Sequence, residues 1–312
     1  MAVPGTEEEF FTARSVAGRV AIVTDSTASL PADESCRSLV AVVPLRLLAG
    51  GLVADDGDPG AAAIAEAAER GERLTTARPP PERFAAAFRA AAAAGARAVV
   101  SVHMSGLLSG TLGSAELAAG SSPIPVRVVD ARTIGTGLGL AVLDAARAAD
   151  AGQGPDEIAA SAERFAERIG SFFAIDGPDA LLASGRMPGG SSRPGGIPAG
   201  LSRPGGIPAG LVARSILQVR SGQVVPVERV RTRAAAAGRL TELAAGFSGG
   251  QPVDVAVEHI AAAGQAADLA GRLAKVIPQV RRRYQVAAGL AIRAHTGPWM
   301  LAVTVAPHPA VG

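Results

Sequence analysis

Hydrophobic and polar positions along this 312-residue chain fall into short apolar runs separated by longer amphipathic stretches. The run Val20-Ala21-Ile22-Val23 is uniformly apolar, as a strand buried on both faces requires. It breaks at once into Thr24-Asp25-Ser26-Thr27-Ala28-Ser29-Leu30-Pro31. Further strands are predicted at 39–44, 98–102 and 126–129. Helices are predicted at 61–70, 81–94, 113–119 and 138–149, the second opening on prolines whose fixed φ suits a first helical turn. This alternation predicts a mainly parallel sheet sandwiched by helices. Ala151-Gly152-Gln153-Gly154-Pro155 interrupts the pattern, so the first α/β domain is expected to span 19–154. Residues 155–312 begin with a helix at 156–169 and a strand at 172–175. Runs at 215–219 and 223–227 meet at Ser221-Gly222 as a hairpin, followed by a helix at 234–245, a strand at 253–258, a helix at 263–276 and a strand at 301–305. An antiparallel pair among α/β units predicts a mixed sheet. The fold class is therefore two α/β domains, with a ligand cleft expected between them.

Two segments lie outside this pattern. Residues 1–18, with Glu7-Glu8-Glu9, are expected to form a disordered extension without the basic and apolar regions of a secretory signal. Ser192-Arg193-Pro194-Gly195-Gly196-Ile197-Pro198-Ala199-Gly200-Leu201 recurs unchanged as 202–211. Prolines and glycine pairs at that density sustain neither a helix nor an interior strand, so the repeat is read as a duplicated surface loop, a Pro/Gly recognition arm being the alternative.

Composition narrows the function classes. Hydrophobic residues make up 48% but aromatics only 3%, so the interior must be built from Ala, Val, Leu and Ile. The basic residues are nearly all arginine, Lys275 being an exception, which with the Ala and Gly excess points to a GC-rich coding bias. A net charge of +2 with no long basic block argues against nucleic-acid binding, and Arg281-Arg282-Arg283 before Tyr284 reads as a solvated strand edge. Cys36 is the single cysteine, which excludes an internal disulfide framework and fits a reducing, cytoplasmic setting. No run of about twenty apolar residues lacks a charge, so no membrane span is expected.

Candidate chemistry collects where strands end, the place ligands occupy in open α/β sheets. Taken alone, Asp25, Ser26 and Thr27 read first as turn and cap residues, with a binding role as the alternative. Ser105-Gly106-Leu107-Leu108-Ser109-Gly110-Thr111 lies between a buried strand and a helix, where hydroxyls, exposed N–H groups and the helix dipole suit an anion. It lacks the G-x-S-x-G elbow of a serine hydrolase. His103, His259 and His308 show no metal-ligand spacing, and no metal or cofactor is expected. His295, read alone, is a surface or structural histidine before a Gly-Pro turn.

Several of these segments together resemble the DegV family of bacterial fatty-acid-binding proteins. Val23 to Pro31 resembles its V-T-D-S-T-x-x-L-P opening, and residues 105–111 its S-S-x-L-S-G-T motif with Gly106 for the second serine. Thr76-Ala77-Arg78-Pro79 is similar to T-S-Q-P, Val129-Asp130-Ala131 to V-D-S, and Gly135 and Gly139 to a glycine-containing helix start. Leu181 to Met187 is similar to L-x-x-G-G-R-I with Ser184 for the first glycine. Gly222 to Pro226 and Val230-Arg231-Thr232 resemble G-x-x-x-P and K-V-R-T, and Ala294 to Pro298 matches A-H-T-G-P. The matches run in the family's order from 19 to 306.

The resemblance implies a two-domain binding subunit rather than an enzyme. A long-chain fatty acid would be held with its acyl chain buried in one domain and its carboxylate near the domain interface. A separate ATP-dependent kinase subunit would phosphorylate that carboxylate. Carried over to this chain, Thr76, Ser105, Ser109 and His295 would bind the carboxylate. Asp25, Ser26, Thr111, Arg186 and Thr296 would line or order the site, Arg186 serving the kinase or the phosphate. Gly106 deletes a serine, Trp299 stands where the family has glycine and is expected to narrow the pocket mouth or cover His295, and the 192–211 repeat replaces a helical stretch. Two alternatives remain: a dihydroxyacetone-kinase-like carbonyl-binding protein, disfavoured because no Gly-x-x-x-x-Gly-Lys motif occurs, and a degenerate relative with an impaired lipid site.

Overall fold

Val20–Asp25 forms strand β1 with every residue buried, and its neighbours explain why. In the computed structural model it lies between β2 (Val40–Val43) and β6 (Ala98–His103) in a four-stranded parallel sheet of order β2-β1-β6-β7, closed by β7 (Val126–Asp130). Ile22 pairs with Val40 and Val100 in the middle of the sheet, and helices cover both faces, so both must be apolar. The structure describes residues 10–11, 16–31, 35–177, 181, 185–186 and 214–308. Residues 1–9, the 192–211 repeat, and Leu182, Ala183, Ser184 and Met187 of the G-G-R-I-like segment lie outside the described residues.

The chain divides into two compact units, Met1–Arg168 with Gly289–Ala291, and Ile169–Ala288 with Ile292–Gly312. In the first unit, α2 (Pro81–Ala93) and α3 (Thr111–Ala119) pack on β6 from one side. On the other lie α4 (Thr136–Asp150), α5 (Pro155–Glu167) and the 3-10 turn Ser35–Leu39. The Gly152–Pro155 break is a turn between two packed helices. Gly152 takes a φ of 83° and Pro155 opens α5, whose Ile158, Ala162 and Phe165 are buried. The division between units accordingly falls after Arg168, beyond the 154/155 break read from sequence.

A small antiparallel sheet, order β4-β3-β5, also belongs to this unit: β3 (Arg46–Ala49), β4 (Leu52–Asp55) and β5 (Thr75–Ala77). Its strands lie in segments where the apolar pattern predicts none. Helix α1 (Ala61–Glu69) covers it, and Leu45, Leu47, Ile64 and Ala291 form its core.

The second unit is a six-stranded mixed sheet of order β10-β9-β8-β13-β11-β12. Its strands are β8 (Gly170–Ile175), β9 (Arg214–Arg220), β10 (Gln223–Val230), β11 (Val253–Ile260), β12 (Val280–Ala287) and β13 (Met300–Pro307). Only β11 and β12 pair in parallel. Ser221 and Gly222 both take positive φ in the β9–β10 turn, as the sequence reading required of that hairpin. Helices α6 (Arg233–Ser248) and α7 (Ala263–Val276) bury Leu240, Leu269 and Leu273 against Phe172, Val255, Val257, Leu301 and Val303. Thr232 caps α6 by accepting from the Ala235 N–H at 3.0 Å. The short helix α8 (Leu290–Thr296) precedes β13. No helix among the described residues is long and apolar enough to cross a membrane.

Candidate functional site

The segment after β1 is held from several directions. The Asp25 carboxylate, fully buried, accepts from His103 Nδ1 at 3.0 Å, from the Thr27 N–H at 3.1 Å and from the Thr27 hydroxyl. His103 Nε2 lies 2.7 Å from Ser101 Oγ, and Phe84 meets the imidazole edge-on at 5.0 Å. Burial alone would raise the Asp25 carboxyl; the hydrogen bonds and charge of His103, with those from Thr27, outweigh it and hold the group below its ordinary value. The order Asp–His–Ser imitates a hydrolytic triad. All three side chains are fully buried, however, so no substrate reaches Ser101 and the network acts as a clamp between β1 and β6. Sequence reasoning missed it, although Ser101 and His103 are the two polar residues of an apolar strand at a spacing that puts them on one face.

Ser26 serves a second network. Its hydroxyl accepts from the Leu45 N–H at 3.0 Å and donates to Asp56. Burial pushes the Asp56 carboxyl up, against the hydrogen bonds from Ser26 and from the N–H groups of Ala291 and Leu290. Asp25 and Ser26 therefore order the loop, and neither aims an unused donor outward.

The 105–111 loop carries the unused donors. Ser105 is fully buried and accepts from the Leu107 N–H at 3.2 Å, while its own N–H donates to the Thr133 carbonyl at 3.0 Å. Ser109 Oγ accepts from the Thr111 N–H at 3.2 Å and stands 2.9 Å from Thr111 Oγ1. One hydroxyl proton of that pair joins the two side chains, which leaves the other for a ligand. Thr133 and Thr24 are buried with hydroxyls that have no partner among the described residues, an arrangement that needs an explanation. The Gly106 N–H donates to Asp130 Oδ2 at 3.3 Å, and a Cβ on Gly106 would meet Leu112 at 2.9 Å. A serine here would therefore crowd Leu112.

Thr76 sits in β5 opposite Leu47. Two residues on, the Arg78 guanidinium lies against Gly110, the residue that caps α3. This contact is what brings the Thr76 segment to the Ser109–Thr111 pair.

The second unit holds the remaining candidates. Arg186 Nη1 donates to His295 Nδ1 at 3.0 Å. Because arginine has no acceptor, the imidazole is neutral and its proton is on Nε2. Burial first, and the Arg186 charge second, lower the His295 pKa to about 4. The Thr296 hydroxyl donates to the Ile292 carbonyl at 3.0 Å within α8, so its proton is spent.

Trp299 departs from expectation. Instead of narrowing a pocket mouth or covering His295, it is 2% exposed in the apolar core, donates to Gln265 Oε1 at 3.0 Å and carries the Arg233 guanidinium 4.6 Å from its ring centroid. Its size and single N–H are met by α7 and α6 rather than by a ligand. Among the described residues no group of His, Cys, Asp and Glu could hold a metal ion.

Comparison with known proteins accords with this architecture. A family model described as "Uncharacterised protein, DegV family" matches residues 19–308. A DegV domain-containing protein of Streptomyces coelicolor is 39% identical over 92% of this chain and 98% of its own length. One of Mycobacterium tuberculosis is 34% identical over 92% of this chain and 96% of its own. Among solved structures, a DegV family protein from Thermus thermophilus described as binding fatty acid superposes with a TM-score of 0.79 at 29% identity, covering 93% of this chain and all of that one. The Bacillus subtilis DegV, described as a fatty acid binding protein, reaches 0.76 at 24% identity over 94% of this chain and all of its own, a likeness of fold alone. On the match across residues 19–308 and these relatives, the chain belongs to the DegV family.

Proposed function

We propose that this protein binds a long-chain fatty acid and presents its carboxylate to a separate ATP-dependent kinase subunit, carrying no catalytic activity of its own. The observation that carries the reading is the Ser109–Thr111 hydroxyl pair, with a proton to give, at the N-terminus of α3. A carboxylate leaving water needs several such donors, because a buried charge without partners is very costly. The helix N-terminus adds a favourable field. Supporting it, a solved relative at 29% identity is described as fatty acid binding.

Thr76, Ser105, Ser109 and His295 are the proposed carboxylate residues, with distinct parts. Ser109 donates; Ser105, bound to the Leu107 N–H, shapes the loop. Arg186, donating to Nδ1, sets the tautomer of His295. Arg186 therefore acts on the head group through His295, and Asp25, Ser26, Thr111 and Thr296 order the surroundings. The proposed setting is the cytoplasm, a reducing compartment that suits the buried Cys36 thiol.

Native mass spectrometry after incubation with oleate or palmitate tests the reading. A complex carrying one fatty acid is expected, and none after incubation with both would overturn it. With ATP and oleate the chain alone should form no acyl phosphate. Thr76→Ala and His295→Ala should each weaken oleate binding by about 1–3 kcal/mol, the usual loss for a hydrogen bond to a charged group.

A further inference from the structure

We propose that Arg78 pairs with the carboxylate of the bound fatty acid and makes the site select an anionic head group. This rests on the fatty-acid reading above and adds to it a residue that stands where the T-S-Q-P-like segment departs from the family pattern.

The geometry is specific to Gly110. A Cβ built there would stand 2.2 Å from Arg78 Nη1, 3.1 Å from Cδ and 3.2 Å from Cζ, so the arginine occupies the room that glycine leaves. The guanidinium is thereby set on the first residue of the α3 N-terminus, beside the residues whose hydroxyls form the Ser109–Thr111 pair.

The side chain is exposed, and its charge has no carboxylate partner among the described residues. Several other arginines of this unit have carboxylate partners: Arg83 and Arg46 share Asp55, Arg19 pairs with Asp150 and Arg127 with Asp156. Among the described residues Arg78 makes no ion pair or hydrogen bond. The carboxylate nearest the loop, Asp130, is engaged by the backbone N–H groups of Gly106 and Arg132. A cation, a helix N-terminus and a hydroxyl with a free proton thus coincide, and among the described residues no acidic side chain pairs with the arginine. A carboxylate does, and the planar guanidinium offers two parallel N–H groups to its two oxygens.

The test compares oleate with oleyl alcohol, which has a comparable chain but no charge, on the full chain at low and high salt. Wild type should prefer oleate, and that preference should shrink as salt rises. Arg78→Gln should bind oleate about tenfold more weakly, the low end for a lost charge-assisted bond at an exposed site, and bind oleyl alcohol as wild type does. Gly110→Ala, whose methyl displaces the guanidinium while leaving the arginine in the chain, should reproduce the loss. An Arg78→Gln variant with wild-type oleate affinity and salt dependence would overturn the assignment while leaving the fatty-acid reading intact. Equal binding of oleate and oleyl alcohol by wild type would do the same. Wild type that binds neither would overturn the fatty-acid reading and this proposal together.

Discussion

Burial first, and the Arg186 charge second, keep the His295 imidazole neutral. Its folded pKa of about 4 lies below the ordinary 6.5, so the unfolded chain takes up this proton first as pH falls. The contribution of His295 to stability is therefore complete above about pH 6.5 and declines as pH drops toward 4, by no more than about 3 kcal/mol. His259, also lowered by burial, adds a slope of the same sign. Urea titrations at pH 7, 6 and 5 should show stability falling, less steeply in His295→Gln; an identical slope in the variant would contradict the assignment. Asp25 poses the opposite case, an ionised carboxylate whose bonds are all internal. Asp25→Ala strands His103 and the N–H groups of Thr27 and Met104 in a fully buried place, with an expected loss of about 3–5 kcal/mol. A loss under 1 kcal/mol would refute the clamp. The polar pair Ser101 and His103 stood out within an apolar strand, but its partner lies 78 residues away in sequence and only strand order reveals it. Arg78 was equally hidden, because nothing in T-A-R-P tells that its side chain crosses a glycine in another loop.

At the scale of elements, the loop after β1 is set by how closely a helix approaches it. A Cβ on Gly139 would fall 2.4 Å from the Ser29 carbonyl oxygen, backbone that cannot swing aside. Gly135, at φ 64°, accepts from the Ser29 N–H and donates to the Thr27 carbonyl, so the two glycines lock the start of α4 to residues 27–30. Gly139→Ala should cost about 1–3 kcal/mol through overpacking and shift this loop, as read by denaturation and by amide exchange at Thr27 to Leu30. An unchanged midpoint would sink the argument. Long strands and helices were legible because burial on two faces or one imposes its period: the 263–276 helix and the Ser221-Gly222 hairpin stand where the pattern put them. The small sheet was not. Its strands are three or four residues long, too short for a period, although Gly50-Gly51 between two apolar runs carried a hairpin signal. In β12, three consecutive arginines mask an alternation that holds along its full length.

For the whole molecule, the scarcity of aromatics and the deep burial of the single tryptophan mean that small aliphatic side chains supply most of the apolar area. Under the proposed function a fatty acid would bring further apolar contacts, and any ligand held only by the folded state stabilises it by mass action. At free oleate a hundredfold above its dissociation constant the gain is about 2.7 kcal/mol. Spread over an unfolding entropy proportional to 312 residues, this corresponds to a rise in Tm of about 4 °C. The rise should follow the logarithm of free oleate, and should fall by more than half in Thr76→Ala/His295→Ala at the same concentration. Oleyl alcohol, which gives the methylene contacts without the charge, should raise Tm less than oleate in wild type. The gap between the two ligands should narrow in Arg78→Gln, because the hydroxyl and His295 donors to the carboxylate remain while the guanidinium is gone. A Tm unmoved by oleate would show that the folded chain has no such site.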